Sequence, residues 1–239
     1  LTALVYLIVT VSYFFHLFRG ASATRSPTVL LLGGFVIHSI ALTSLFFREG
    51  FATVAVMGDA LLFNSWLMVG IYLLIQLKYP LAVLGAIVAP LAFLMTFAAF
   101  AVGGGAGEIP PGFQTFWLPL HVTLAFLGNA IFALAFGVSV IYLLQERHLK
   151  HKKLTILMKR FPSLESLDGL NYRLLMWGFP LMTLGILTGS LWAGIHWGDY
   201  WSWDPRQISS GLAWLLYGAL LHGRITAGLR GKKAALLTM

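Results

Sequence analysis

Seven apolar stretches divide this chain of 239 residues, and each is long enough, or nearly so, to cross a bilayer. A membrane-spanning helix needs about 20 apolar residues. The chain is 59% hydrophobic and 10% charged, with a mean hydropathy of +0.84, whereas soluble domains carry about 25% charged residues. The sequence therefore predicts an all-α, polytopic integral membrane protein. Its predicted spans are 1–18, 28–47, 59–77, 81–102, 116–145, 170–196 and 205–224.

The basic residues predict how these spans are oriented, because inner loops of membrane proteins carry an excess of lysine and arginine. With the N-terminus outside, the outer loops hold only Arg48 and Arg206. The inner side then holds Arg19, Arg25, Lys78, Arg147, Lys150, Lys152, Lys153, Lys159, Arg160, Arg173, Arg224, Arg230, Lys232 and Lys233. The apolar tail from Ala234 begins an eighth span, heading outward, and we expect it to be truncated in this chain.

The net charge of +8 follows from these inner residues and gives no reason to expect nucleic-acid binding. The largest polar insertion is the inner loop 147–169. Its residues Leu154, Leu157, Met158 and Phe161 fall on one helical face, with lysines opposite. This pattern predicts a basic amphipathic segment on the anionic inner leaflet of the lipid bilayer, with docking of a partner protein as the alternative.

The chain has no cysteine and seven histidines. The missing cysteines exclude disulfides, thiolate metal sites and cysteine nucleophiles. Neutral imidazole is the commonest metal ligand. His121 and His196 fall at the outer ends of spans five and six. His148 and His151 lie in the basic inner loop, where we expect them to be solvated.

Three histidines fall within spans: His16, His38 and His222. An ionisable group inside a bilayer predicts a functional site, and its alternative is a neutral imidazole hydrogen-bonded between helices. We favour the structural alternative for His16. For His38 and His222, position alone leaves both interpretations open.

The stretch WGDYWSWDP, residues 197–205, concentrates three tryptophans in seven residues. Gly198 and Pro205 argue against one continuous helix. In an extended segment Trp201 and Trp203 face the same side, whereas on a helical turn Trp197 and Trp201 do. Interfacial tryptophans usually distribute over many span ends, so this concentration favours a surface that binds a ligand.

The end of this stretch carries a helix start signal. Asp204 is a suitable N-cap, Pro205 suits the first helical position, and Gln207 follows at the third position in a capping-box pattern. Histidines at the outer face beside a dense aromatic surface suit a flat, apolar macrocycle that carries iron. Haem needs such an axial ligand and such a stacking surface.

The stretch Trp197-Gly198-x-x-Trp201-x-Trp203-Asp204-Pro205 resembles the tryptophan-rich WWD signature of the haem-handling proteins of cytochrome c biogenesis. The proline resembles the CcsA (ResC) branch of system II. Trp117-Leu118-Pro119-Leu120-His121 is similar to the CcsA helix with an external haem-ligating histidine. Leu221-His222-x-Arg224 resembles the intramembrane histidine that follows the signature. The resemblance covers about residues 115–230.

The resemblance implies that haem b is held at the outer face, with His121 as an axial iron ligand and Asp204 orienting the segment. It implies a deeper haem iron at His222, for which His38 is the available partner although their predicted depths disagree. Arg206 stands where the family commonly has lysine and suits a haem propionate. The outer contacts implied are Trp197, Gly198, Trp201 and Trp203. The family's second external histidine is missing, and His196 replaces it by location only.

The resemblance further implies a single haem-handling domain, 1–239, in the bacterial inner membrane, with the segment 197–205 on the periplasmic side. Its function would be to transport and present haem and to support its attachment to apocytochrome c. It would act as the haem-lyase (cytochrome c synthetase) subunit beside a CcsB-type membrane partner. The alternatives are a HemX-like regulator without ligation activity and a membrane di-haem electron carrier.

Overall fold

The structure, a computed structural model, describes residues 1–19, 25–79, 81–104, 115–151 and 161–239. Within these ranges the chain forms helices and no strand, which confirms the predicted all-α fold class. The helices are α1 (Thr2–Arg19), α2 (Arg25–Glu49), a short 3-10 helix (Phe51–Ala55), α3 (Met57–Lys78), α4 (Ala82–Val102), α5 (Trp117–Lys150), α6 (Leu164–Trp197), α7 (Pro205–Thr226) and α8 (Gly231–Thr238).

Five of these helices, α2 to α6, are long and apolar enough to cross a membrane. α1 is also apolar but shorter, over Thr2–Leu17. α7 is not among the five, and its 22 residues include the polar side chains of Arg206, His222 and Arg224. The predicted multi-pass membrane architecture is confirmed, whereas the count of seven spans and the outer location of the N-terminus stay predictions.

Helix α6 runs antiparallel to α5 and to α7. Along α5, Ala125 contacts Gly185 and the later Ser139 contacts the earlier Asn171 of α6. Along α7, Trp214 contacts Thr183 and the later Arg224 contacts the earlier Asp168 of α6. The start of α5, the end of α6 and the start of α7 therefore share one end of the bundle, which we call the tryptophan end. Arg147, Arg173 and Arg224 share the opposite end, which we call the basic end.

Glycines let α5 and α6 approach closely. A Cβ atom placed on Gly185 would lie 3.0 Å from the Cα atom of Ala125, and one on Gly128 would lie 3.0 Å from the backbone nitrogen of Met182. Small residues at such seams let the backbones of membrane helices pack directly. This seam fixes the rotation of α5 against α6, and therefore the place where His121 meets α6.

A buried polar network ties three helices together at the basic end. Arg224 of α7 is only 8% exposed and donates to a carboxylate oxygen of Asp168 on α6 at 2.9 Å. The other oxygen of Asp168 accepts from the backbone N–H of Gly231, where α8 begins. Thr238, at the end of α8, donates to the side-chain oxygen of Asn171. α8 therefore runs alongside the start of α6 in the same direction, toward the tryptophan end. That the tail from Ala234 begins an eighth membrane span stays a prediction.

The predicted inner loop 147–169 is shorter in the structure. Helix α5 continues to Lys150, since basic side chains in its last turn suit the helix C-terminus. Helix α6 begins at Leu164, because the Ser163 side chain caps it by accepting from the backbone N–H of Ser166. The amphipathic face predicted for this loop falls mostly on residues 152–160, which lie outside the described residues.

Candidate functional site

The tryptophan-rich segment is a break between two helices, as predicted. α6 ends at Trp197, and Gly198 follows in the left-handed conformation with a φ of 82°. Asp204 caps α7, since one carboxylate oxygen accepts from the backbone N–H groups of Arg206 at 2.7 Å and Gln207 at 3.1 Å. These N–H groups, that of Gln207 first, hold the pKa of the Asp204 carboxyl below its usual value.

The predicted capping box takes a different form. The side-chain oxygen of Gln207 accepts from the backbone N–H of Ser202 at 2.7 Å and from its hydroxyl at 3.1 Å. In a standard capping box this side chain reaches the N-cap residue itself. Here it ties the middle of the segment to the first turn of α7 and so helps to fix Trp201 and Trp203 on either side of Ser202.

Gly198→Ala tests the backbone of this break. No atom lies within 4 Å of a Cβ atom at this position, so the substitution changes only the backbone preference. An L-residue in the left-handed region costs roughly 1–2 kcal/mol. We expect the free energy of unfolding in detergent to fall by about 1 kcal/mol in Gly198→Ala and by less in Gly198→Asn, because asparagine tolerates this region. Equal stability of all three proteins would argue against this backbone conformation.

The three tryptophans do not form one platform. The rings of Trp201 and Trp203 meet edge to face, with centroids 5.7 Å apart and planes 86° apart. Trp197 instead packs edge to face on Trp192 of α6, at 4.7 Å. Trp203 adopts a φ of 57°, which is unusual for a residue other than glycine. The segment therefore presents two separate aromatic pairs.

The pair of Trp201 and Trp203 walls an apolar cavity of about 480 Å³ between α6 and α7. Ligand pockets usually occupy roughly 300–1,000 Å³ and are lined mainly by apolar and aromatic side chains. The indole N–H of Trp201 is buried and has no hydrogen-bond partner among the described residues. The other lining residues are Thr183, Ile186, Leu187, Ile208, Gly211, Leu212, Trp214 and Leu215.

His121 lies in the second turn of α5, at the tryptophan end, and its ring contacts α6. Its Nδ1 atom is 2.8 Å from the backbone oxygen of Gly185. A carbonyl oxygen only accepts hydrogen bonds, so Nδ1 carries the proton and donates it to this oxygen. The unprotonated Nε2 atom is therefore the nitrogen of this imidazole with a lone pair available to a metal ion.

His121 and the cavity lie on different faces of α6. With 3.6 residues per helical turn, Gly185 and Gly189, which the His121 ring contacts, lie on the face toward α5. Thr183, Ile186 and Leu187, which line the cavity, lie about a third of a turn away, at the same height along the helix. The structure therefore brings His121 to the level of Trp201 and Trp203 but not into the cavity.

His196 lies nearer the end of α6 on the face that His121 contacts. Its Nδ1 atom donates to the backbone oxygen of Trp192 at 2.9 Å, and its ring stacks on that indole at 5.1 Å. Arg206 extends into solvent from the first turn of α7, where it reaches a carboxylate oxygen of Asp204 at 3.3 Å. The side chain of Trp203 is 74% exposed and that of Trp197 is 54% exposed.

The structure does not bring His38 and His222 together. His38 is only 1% exposed; its Nδ1 atom lies 3.0 Å from the hydroxyl of Tyr6, and its Nε2 atom has no partner among the described residues. His222 is exposed on α7. α2 packs mainly against α1 and α3, whereas α7 packs against α6 and α8. A shared iron between these two histidines does not fit this arrangement.

Comparison with known proteins shows the family of the chain. The family model described as "Cytochrome C assembly protein" matches residues 54–239. The chain belongs to this family. Its members act in cytochrome c biogenesis, and the matched region contains His121, the tryptophan-rich segment and His222.

Relatives within the family carry the name "Cytochrome c biogenesis protein CcsA". The protein of Chlamydomonas reinhardtii is 35% identical over 198 residues, which cover 80% of this chain and 55% of that protein. The protein of Pyropia yezoensis is 30% identical, and the match covers 89% of this chain and 79% of that protein. The protein of Prochlorococcus marinus is 26% identical over the whole chain and 85% of its own length. The predicted CcsA-like family is thus confirmed.

Three glycines beneath aromatic side chains of this region were not among the predicted site residues. The ring of His121 rests on Gly189, that of Tyr200 on Gly194 and that of Trp201 on Gly211. A signal was present, because Gly185 and Gly189 are four residues apart on one helical face, the spacing of a close helix contact in membranes. The sequence gives no sign of which side chain such a glycine receives.

Proposed function

We propose that this protein binds haem b at the tryptophan end, on the outer side of the membrane, and presents it for attachment to apocytochrome c. Haem is here the substrate that the protein passes on. His121 ligates the iron through Nε2, and the tryptophan-rich segment supplies the apolar surface for the macrocycle. The assignment of the outer side follows from the excess of basic residues at the opposite end.

The orientation of His121 carries this proposal. Its Nδ1 atom is committed to the Gly185 carbonyl, as metal-binding histidines commonly donate their second ring N–H to a carbonyl or carboxylate. Among the described residues, no three histidine, aspartate or glutamate groups lie close enough to hold a metal ion. An iron at His121 must therefore bring its other ligands with it, as the porphyrin of haem does.

The cavity beside Trp201 and Trp203 fits part of an apolar macrocycle by its volume and its apolar walls. The unpartnered indole N–H of Trp201 offers a donor for a propionate oxygen. Arg206, exposed at the mouth of the segment, offers a charge-assisted contact to the same group. Because α6 separates His121 from this cavity, a single haem that contacts both requires the segment 198–203 to move over the end of α6.

Attachment joins cysteine thiols of apocytochrome c to the haem vinyl groups. Each thiol adds across a vinyl double bond, so that a carbon–sulphur bond forms and the proton goes to the other carbon, with no net oxidation. The chain itself carries no cysteine, so both sulphurs come from the apocytochrome. This protein contributes position, since holding reactants in attack geometry accelerates their reaction.

The exposed imidazole of His222 is assigned to a second, deeper haem nearer the basic end. Its other iron ligand comes from a CcsB-type membrane partner, because the buried His38 is held by Tyr6 in the first helices. We place both proteins in a bacterial plasma membrane, with the tryptophan end on the periplasmic side.

Substitution of the cavity tryptophans tests the proposed surface. We expect Trp201→Ala and Trp203→Ala to lower the haem content of the purified protein several-fold, because stacking of a ring on an aromatic side chain contributes about 1 kcal/mol. Trp177→Ala is the matched control, since Trp177 is 71% exposed on α6 and does not line the cavity. A haem content that falls equally in all three variants, or in none, would contradict the assignment of this cavity.

A further inference from the structure

Gly189 lies directly under the imidazole of His121. A Cβ atom built on Gly189 would lie 2.5 Å from Cε1 and 2.7 Å from Nδ1 of that ring. Contacts this short do not occur between carbon atoms, so any side chain at this position forces the imidazole to move. The ring cannot move away freely, because Nδ1 is held by the carbonyl of Gly185, one turn earlier on α6.

We infer that Gly185 and Gly189 together form a seat on α6 that fixes both the tautomer and the orientation of His121, so that Nε2 is the nitrogen presented to iron. The inference rests on the proposed function of His121 and adds a positioning role for two glycines. Gly185 contributes its backbone oxygen, and Gly189 contributes the absence of a side chain.

The two glycines have different tolerances. Gly185 also packs on the backbone of Ala125, since a Cβ atom placed on this glycine would lie 3.0 Å from the Ala125 Cα atom. A substitution there therefore disturbs the α5–α6 seam itself. At Gly189 all three nearest atoms belong to the His121 ring. Gly189 is therefore the position at which the seat can be changed with the least effect on helix packing, and alanine is the better helix former.

Gly189→Ala is the main test, with Gly169→Ala as the matched control on the same helix, where nothing lies within 4 Å of the added atom. Loss of a group that orients a metal-binding histidine typically costs 10–100-fold in metal affinity. We expect Gly189→Ala to lose the axial-ligand absorption of the bound haem, with at least about tenfold weaker ligation. Gly169→Ala should match the wild type.

The double variant His121→Gly/Gly189→Ala separates positioning from general packing. If Gly189 acts only through His121, the double variant has the spectrum of His121→Gly alone. Additive losses in the double variant would overturn the inference, as would an unchanged spectrum in Gly189→Ala.

The tautomer gives a readout that needs no haem. In apo protein labelled with ¹⁵N-histidine, the signals absent from His121→Gly identify the His121 nitrogens. We expect a protonated Nδ1 and an unprotonated Nε2 in the wild type, and a changed pattern in Gly189→Ala. The same pattern in both proteins would overturn the inference. If the wild type shows this tautomer and yet binds no haem, the proposed function is wrong, whereas the positioning of His121 by Gly185 and Gly189 is still supported.

Discussion

His121→Gly removes the proposed axial ligand, so we expect the purified variant to lose the absorption bands of a histidine-ligated haem. Free imidazole should restore them, because the variant leaves a gap where the ring lay between α5 and the two glycines of α6. Formation of holocytochrome c in cells that depend on this protein should fall to background. Absorption spectra with and without imidazole, together with a count of holocytochrome c, measure both effects.

His196→Gly is the matched control for this prediction. His196 also donates its Nδ1 proton to a backbone carbonyl, and it lies on the same face of α6 nearer the helix end. If His196→Gly leaves the spectrum unchanged while His121→Gly abolishes it, His121 alone accounts for the axial bands. An unchanged axial spectrum in His121→Gly would refute the assignment of this ligand.

Arg224→Ala should cause a large loss of stability, because it breaks the buried ion pair at the basic end. Arg224 is 8% exposed, and its removal leaves Asp168 partly buried without its cation. Breaking a buried ion pair by removal of one partner typically costs roughly 3–5 kcal/mol. We expect a fall of about 3 kcal/mol in the free energy of unfolding, measured by denaturant titration in detergent.

Two further variants separate the ion pair from other effects. Arg230→Ala removes an exposed arginine next to the same network and should change stability by less than about 0.5 kcal/mol. The double variant Arg224→Ala/Asp168→Ala should lose less than the sum of its single variants, because neither charge is left unpaired. Strictly additive losses would mean that the pair contributes nothing of its own.

Features set by local chain geometry could be predicted from the sequence. The Asp204 cap depends on residues 204–207 alone, and the break at Gly198 depends on a glycine at a helix end. The level of His121 followed from the length of the apolar stretches, since antiparallel helices bring the start of α5 to the end of α6. These features required no knowledge of how the helices are rotated against one another.

Features set by packing could not be predicted. Which face of α6 receives His121 depends on the glycine seam with α5, and no periodicity in one helix reports the rotation of its neighbour. Trp197 packs on Trp192 within α6, whereas the pairing of Trp201 with Trp203 accompanies a left-handed Trp203. A sequence gives little warning of that conformation in a residue other than glycine.

The separation of His38 from His222 has the same origin. Each lies within a predicted span, and hydropathy gives only an approximate depth for each. α2 packs with α1 and α3, whereas α7 packs with α6 and α8. This packing keeps His38 and His222 from binding the same iron. His38 instead pairs with the hydroxyl of Tyr6.

The haem content of the wild-type protein tests the central claim most directly. The protein, purified in mild detergent together with the proposed CcsB-type partner from cells that make c-type cytochromes, is assayed as the pyridine haemochrome. We predict that the wild-type protein contains a stoichiometric amount of haem b, which acid acetone extracts because it is not covalently bound. We predict a lower haem content in His121→Gly. Wild-type protein that is folded and active in cytochrome c biogenesis, but free of haem at every stage of purification, would contradict the account.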